Sequence, residues 1–184
     1  MALFRLACVR LHYNLCPYFR LDTRDPWIIA QAIREALLPD QSVDFRVAVL
    51  QSAHTLNISA RRWGDSSSAT TQAVATWTVM DAVCHAECTY FLSKWLERTV
   101  AYSGSLLSRG RDHQLVDIVA ALVARSNPGA DFLTDSDNSR KIKAMAVQVV
   151  RDSARVLRYS HVFDIEHVLC ASLNTYAVLL ENTI

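Results

Sequence analysis

Only four glycines and four prolines punctuate this chain of 184 residues. A many-stranded sheet needs frequent turns, and turns draw on residues that reach unusual backbone angles. So few breakers over this length predict long helices joined by few connections. The expected fold class is all-α: an antiparallel four-helix bundle with additional short helices, in a single helical domain over 1–184. Within it, 1–16 is a candidate N-terminal arm, 17–169 the bundle core and 170–184 a C-terminal segment. With 51% hydrophobic residues the chain can build one core, and it is too apolar to be disordered.

The strongest helix start is Asp25-Pro26. An aspartate caps exposed backbone N–H groups, and proline suits the first helical position because it loses no bond there. Ile29, Ile33, Leu37 and Leu38 then share a face, and Pro39 stops the helix at Leu38. Val43 to Leu56 fits either a helix or an alternating strand, and its polar tail Gln51-Ser52-Ala53-His54 favours helix. Arg61 to Ser68 reads as a connection. A long apolar stretch from Thr71 to Tyr102 follows and ends in Lys94, Glu97 and Arg98. Gly104 to Arg111 reads as a second break, and Gln114 to Arg125 as a shorter helix closed by Asn127-Pro128-Gly129. Asp131 to Asn138 reads as an exposed acidic loop. Two final helices are expected, from Asn138 or Ser139 to Leu157 and from Asp164 onward.

No apolar run reaches the ~18–20 residues that cross a bilayer, and the N-terminal stretch is interrupted by Arg5, Arg10 and His12. Five cysteines without a secretory signal suit reduced thiols. The formal net charge of +1 argues against a strongly basic, freely diffusing nucleic-acid binder.

Catalytic signatures are missing: there is no Gly-x-Ser-x-Gly elbow and no glycine-rich phosphate loop. Cys84-His85-Ala86-Glu87-Cys88, with His12 and Cys16 upstream, could offer ligands to a structural zinc. The spacing matches no finger or ribbon pattern, so pairs of apolar-face residues are the preferred reading and no metal is expected. The expectation is a protein that is not an enzyme and uses no cofactor. Basic residues remain: Arg61-Arg62 before Trp63, Arg109 and Arg111 around Gly110, and Arg140, Lys141 and Lys143 at a helix start. Arginines in loops and at helix N-termini can meet phosphates without reading bases.

The order of these features resembles the coat proteins of rod-shaped plant viruses, the tobacco mosaic virus type. In that family a Pro-x-Phe segment leads to a helix-opening Asp-Pro; here Pro17-Tyr18-Phe19 leads to Asp25-Pro26. An Arg-Phe-Pro-Asp-like turn precedes the third helix of the family, where this chain has Arg62-Trp63-Gly64-Asp65. An aromatic-acidic pair near the family's C-terminus is matched by Phe163-Asp164. The resemblance spans Pro17 to Leu169, and it departs at Trp63-Gly64 and in the extra helical pattern at Gln114 to Arg125.

The resemblance implies a capsid subunit that assembles into a helical homo-oligomer of many copies. It would encapsidate single-stranded RNA through Arg98, Arg109, Arg111, Arg140, Lys141 and Lys143. It also implies residence in the virion and host cytoplasm, with no membrane and no small-molecule substrate. Asp131, Asp135 and Asp137 would repel their counterparts across subunits and promote disassembly. The alternative reading is an α-helical interaction module of regulatory or suppressor type, which binds a protein partner or RNA without building a rod.

Overall fold

The computed structural model describes residues 2–40, 43–63, 77–102, 109–126, 138–160 and 163–182; of these, the side chains of 60–63, 109–111, 125–126 and 160 are left aside. The described residues form seven helices and no strand: α1 (Ala2–His12), α2 (Pro26–Glu35), α3 (Arg46–Trp63), α4 (Val79–Ala101), α5 (Arg109–Ser126), α6 (Asn138–Ser160) and α7 (Asp164–Glu181). None is long and apolar enough to cross a membrane.

Helix α4 is the centre of the fold. Thr78 caps it: the hydroxyl accepts from Asp81 N, while the Asp81 carboxylate accepts from Thr78 N at 3.0 Å. From Ala82 to Leu96 every residue of α4 is buried. A helix covered on all sides needs neighbours all round, and α4 has them: α1 and α3 pack on it, as do α6 and α7. Thr89 meets Ser153 of α6, whereas Tyr90 meets Ser172 and Ser93 meets Tyr176 of α7. The rising pair of numbers shows α4 and α7 running parallel. Cys170 Sγ donates to Ala154 O, and further along Arg151 pairs with Glu181, so α6 runs antiparallel to α7. Aromatic rings cement the centre, with Tyr90–Tyr176 edge-on at 5.3 Å and Phe19–Tyr90 at 5.7 Å between centroids. Such pairs add about 0.5–1.5 kcal/mol each beyond area burial.

The start of α2 is as expected. Asp25 Oδ1 accepts from Trp27 N at 2.8 Å, with Pro26 in the first turn. Its end is not: the helix stops at Glu35, ahead of Leu38, and Leu37 is exposed. The cause is tertiary. Lys94 Nζ donates to the Arg34 carbonyl at 3.0 Å, and the Tyr13 hydroxyl donates to the Leu37 carbonyl. These side chains take acceptors that the next helical turn would otherwise have used.

Other boundaries also moved. Helix α3 begins at Arg46, whose N–H bonds Asp44 Oδ1 at 3.0 Å, and runs on to Trp63, so Arg61–Trp63 are helical and not part of a connection. Phe45, Ala48, Val49, Ser52, Leu56 and Ser59 are buried, a period of three to four that excludes the strand alternative. Arg109 and Arg111 lie in the first turn of α5 and not in a loop. Residues 2–12, inside the candidate arm, form a helix packed on α3 and α4, with Leu6 and Val9 buried. Its other side shows Leu3, Phe4 and Leu11 to solvent. The acidic run Asp131, Asp135 and Asp137 lies outside the described residues, as does Gly64-Asp65.

Removing the α2 cap should be measurable. Asp25→Ala is expected to lower stability by about 1 kcal/mol in urea denaturation, with Asp25→Asn recovering most of it. An unchanged midpoint for Asp25→Ala would show that α2 is held by packing alone.

Candidate ligand pocket and buried polar network

Burial on all sides makes it costly for a polar side chain of α4 to lack a partner inside the fold, and most of them have one. Glu87, 2% exposed, is clasped by Arg10 of α1 through Nε to Oε2 at 2.9 Å and Nη2 to Oε1. Hydrogen bonding to this carboxylate raises the Arg10 guanidinium pKa above its usual value. Thr89 donates to the His85 carbonyl at 2.8 Å and lies 2.9 Å from Ser153 Oγ.

The Cys84 to Cys88 segment is thus core. Burial pushes the Cys84 thiol up to about 11 and the Cys88 thiol to about 12. Both are therefore poor thiolate ligands and poor nucleophiles. The described residues contain no group of three His, Cys, Asp or Glu side chains that could hold a metal. Burial likewise pulls the His85 imidazole down to about 4. Its ring sits edge-on to Trp77, 6.2 Å between centroids, and neither nitrogen makes a well-formed hydrogen bond; the Ser153 backbone gives a weak polar contact.

A second polar cluster sits near the C-terminal end of α4, where the core opens. Glu97 Oε2 accepts from Arg34 Nη1 at 2.9 Å, and Glu97 Oε1 accepts from the Tyr176 hydroxyl at 3.0 Å. Lys94 Nζ stands 3.8 Å from the same carboxylate, and Ser93 donates to Tyr176 at 3.5 Å. Burial lowers the Lys94 ammonium below its usual pKa, partly offset by the charge of Glu97. Burial and the charge of Glu97 together raise the Tyr176 phenol well above its own.

Above this cluster lies a pocket of about 310 Å³. Arg34, Glu97 and Lys143 supply its charges, and its walls include Leu38, Val100, Ala101, Ala146, Val147 and Leu180. It lies between the ends of α2, α4 and α7 and the early turns of α6. Concave apolar walls with a few converging polar groups are the ordinary form of a small-molecule site.

The residues singled out from the sequence are dispersed. Lys143 lines the pocket; Arg140 and Lys141 are in the first turn of α6, outside its lining, with Arg140 exposed. Arg98 is buried: its guanidinium lies 5.0 Å from the Phe45 ring centroid and 3.9 Å from Asp112 of α5. Arg109, Arg111, Arg62 and Trp63 are on helices whose side chains there are not described. Phe163 caps α7, its N–H bonded to Glu166 Oε2 at 3.2 Å, and Asp164 begins that helix. The residues that sequence reasoning missed are Arg34, Tyr176 and the part played by Lys94. The available signal was a lysine and a glutamate three residues apart in a helix whose middle is mostly apolar.

Residues 14–175 match the family of fungal transcription factor C-terminal domains. The chain belongs to that family. No curated protein and no solved structure matches it.

Family membership overturns the resemblance to plant-virus coat proteins. The helical rod of many copies, the encapsidated RNA and the virion are corrected with it. The physical reason lies in the motifs themselves. Asp25-Pro26 and Phe163-Asp164 are helix starts, and Phe19 is a core ring against Tyr90. Any helical protein needs such punctuation, so their order reflected helix boundaries and not descent. The RNA roles assigned to Arg98, Arg109, Arg111, Arg140, Lys141 and Lys143 came with that resemblance and are not carried forward.

Two measurements test the buried groups. Unfolding restores His85 to the ordinary pKa near 6.5 while the fold holds it at about 4, so the unfolded state binds the extra proton between these values. Stability should therefore fall as pH drops from 6.5 to about 4, with His85 contributing on the order of 3 kcal/mol. Denaturation of His85→Leu across this range should show a flatter slope, and an identical slope would refute the assignment. Arg10→Met should destabilise by on the order of 3 kcal/mol by leaving Glu87 buried without its partner, and Glu87→Leu in the same chain should recover most of that. Strictly additive losses in the double-mutant cycle would show that the pair is not coupled.

Proposed function

We propose that this chain is a regulatory, partner-binding segment of a fungal transcription factor, acting in the nucleus and performing no catalysis. The observation that carries the reading is the family match over residues 14–175. Three features support it. The near-neutral charge gives little general attraction to a polyanion, so gripping DNA is not the task assigned to this segment. Leu3, Phe4 and Leu11 on α1 give an exposed apolar surface of the kind that protein partners cover. The most reactive side-chain types on α4, Cys84, His85 and Cys88, are buried and held in their neutral forms.

The architecture we read behind this is an irregular four-helix core of α2, α4, α6 and α7. In this reading α1, α3 and α5 form an outer layer on the other side of α4. The packing of α2 on α7, α6 on both α4 and α7, and α1 and α5 on α3 supports it.

Fusing the whole chain to an unrelated DNA-binding domain tests the function. Expression of a reporter in a fungal cell should change several-fold relative to the DNA-binding domain alone. The purified chain should leave duplex DNA unshifted at physiological salt. No change in reporter output would overturn the regulatory role, and tight duplex binding would overturn the partner-binding one.

A further inference from the structure

The pocket between the ends of α2, α4 and α7 and the early turns of α6 keeps its charges apart from its floor. Its buried lining residues, Ala146, Val147 and Leu180, are all apolar, whereas Arg34, Glu97 and Lys143 are all partly exposed. Those charges are already compensated. Glu97 accepts from Arg34 on one oxygen and from Tyr176 on the other, with Lys94 3.8 Å away. Arg34 has a further partner, and Lys143 is engaged too. A charged ligand would give up its water with no counter-charge waiting for it, and would have to break an existing pair to gain one. Water itself gains little on the floor, because aliphatic side chains offer it no hydrogen bond. An uncharged aliphatic body loses nothing polar on entering and covers apolar surface, which is favourable roughly in proportion to the area covered.

Size narrows the class. About 310 Å³ lies at the lower end of the ~300–1,000 Å³ spanned by small-molecule sites. A helical peptide needs a groove several turns long, so the occupant is a small molecule. We propose that this pocket binds a small uncharged aliphatic molecule, its hydrocarbon body against Val100, Val147 and Leu180 and any hydroxyl end turned to the exposed edge at Ala101. Only its consequence for transcription rests on the regulatory reading above; binding itself rests on the pocket alone.

Hexan-1-ol is a suitable probe, with hexanoate and hexylammonium as charged controls of matched length. Titrated into the full chain, hexanol should shift the methyl resonances of Val100, Val147 and Leu180 saturably. It should leave unmoved the methyls of Leu3 and Leu11, which are exposed on α1 and report indiscriminate association with apolar surface. Both charged controls should bind on the order of tenfold more weakly or worse, because each must shed water from an ion that finds no open counter-charge. Ala101→Trp fills the exposed edge of the pocket without touching its charges and should weaken hexanol on the order of tenfold or more. The proposal is overturned if hexanol moves none of the three pocket methyls, or moves those of Leu3 and Leu11 with the same midpoint. It is equally overturned if either charged control binds as tightly as hexanol, or if Ala101→Trp leaves hexanol binding unchanged. None of these outcomes depends on reporter output, so the pocket and the regulatory role can fail separately.

Discussion

Helix α4 is buried through Ala82 to Leu96 and still carries His85, Glu87, Thr89, Tyr90, Ser93 and Lys94 inside the core. Most other features follow from that combination. Removing polar groups from water is costly unless the protein returns their hydrogen bonds, so neighbouring helices must present partners at the right heights. Arg10 anchors α1 to Glu87, Ser153 sets α6 against Thr89, and Ser172 and Tyr176 set α7 against Tyr90 and Ser93. Apolar packing alone would tolerate sliding between helices. These pairs fix their relative heights because a shift by one turn would leave several buried groups without partners at once.

The pocket is where this constraint relaxes. Towards the end of α4 a pocket opens, and Arg34 and Glu97 of the polar cluster line it while Lys94 and Tyr176 stay buried behind them. Arg34 is partly exposed while Lys94 is buried, so the cluster joins the rigid interior to an accessible surface. It also shapes the backbone. Lys94 holds the Arg34 carbonyl, α2 ends early, and the strand of chain beyond it brings Leu38 to the pocket wall.

The likeness to coat proteins shows what local motifs can and cannot carry. An Asp-Pro helix start, an aromatic followed by an acid, and a proline-aromatic segment each answer a local need for a cap or a core anchor. Unrelated helical chains meet the same needs in the same order. Lineage is written in positions spread over the whole length, which is why a match across 14–175 outweighs a handful of dipeptides.

The sequence by itself determined the helical class. It also settled the cap at Asp25 and the start of the last helix at Asp164. These are local matters, decided by propensity, capping and periodicity within a few residues. Tertiary structure alone decided that α2 ends at Glu35, that α3 runs to Trp63, and that Arg98 turns inward over Phe45. It alone gathered Arg34, Glu97, Lys143 and Leu180 around one pocket. Residues so far apart in the chain leave no shared pattern in sequence. What joins them is the requirement that buried charges on α4 be met by whichever side chains the packing brings near, and that requirement exists only once the helices are assembled.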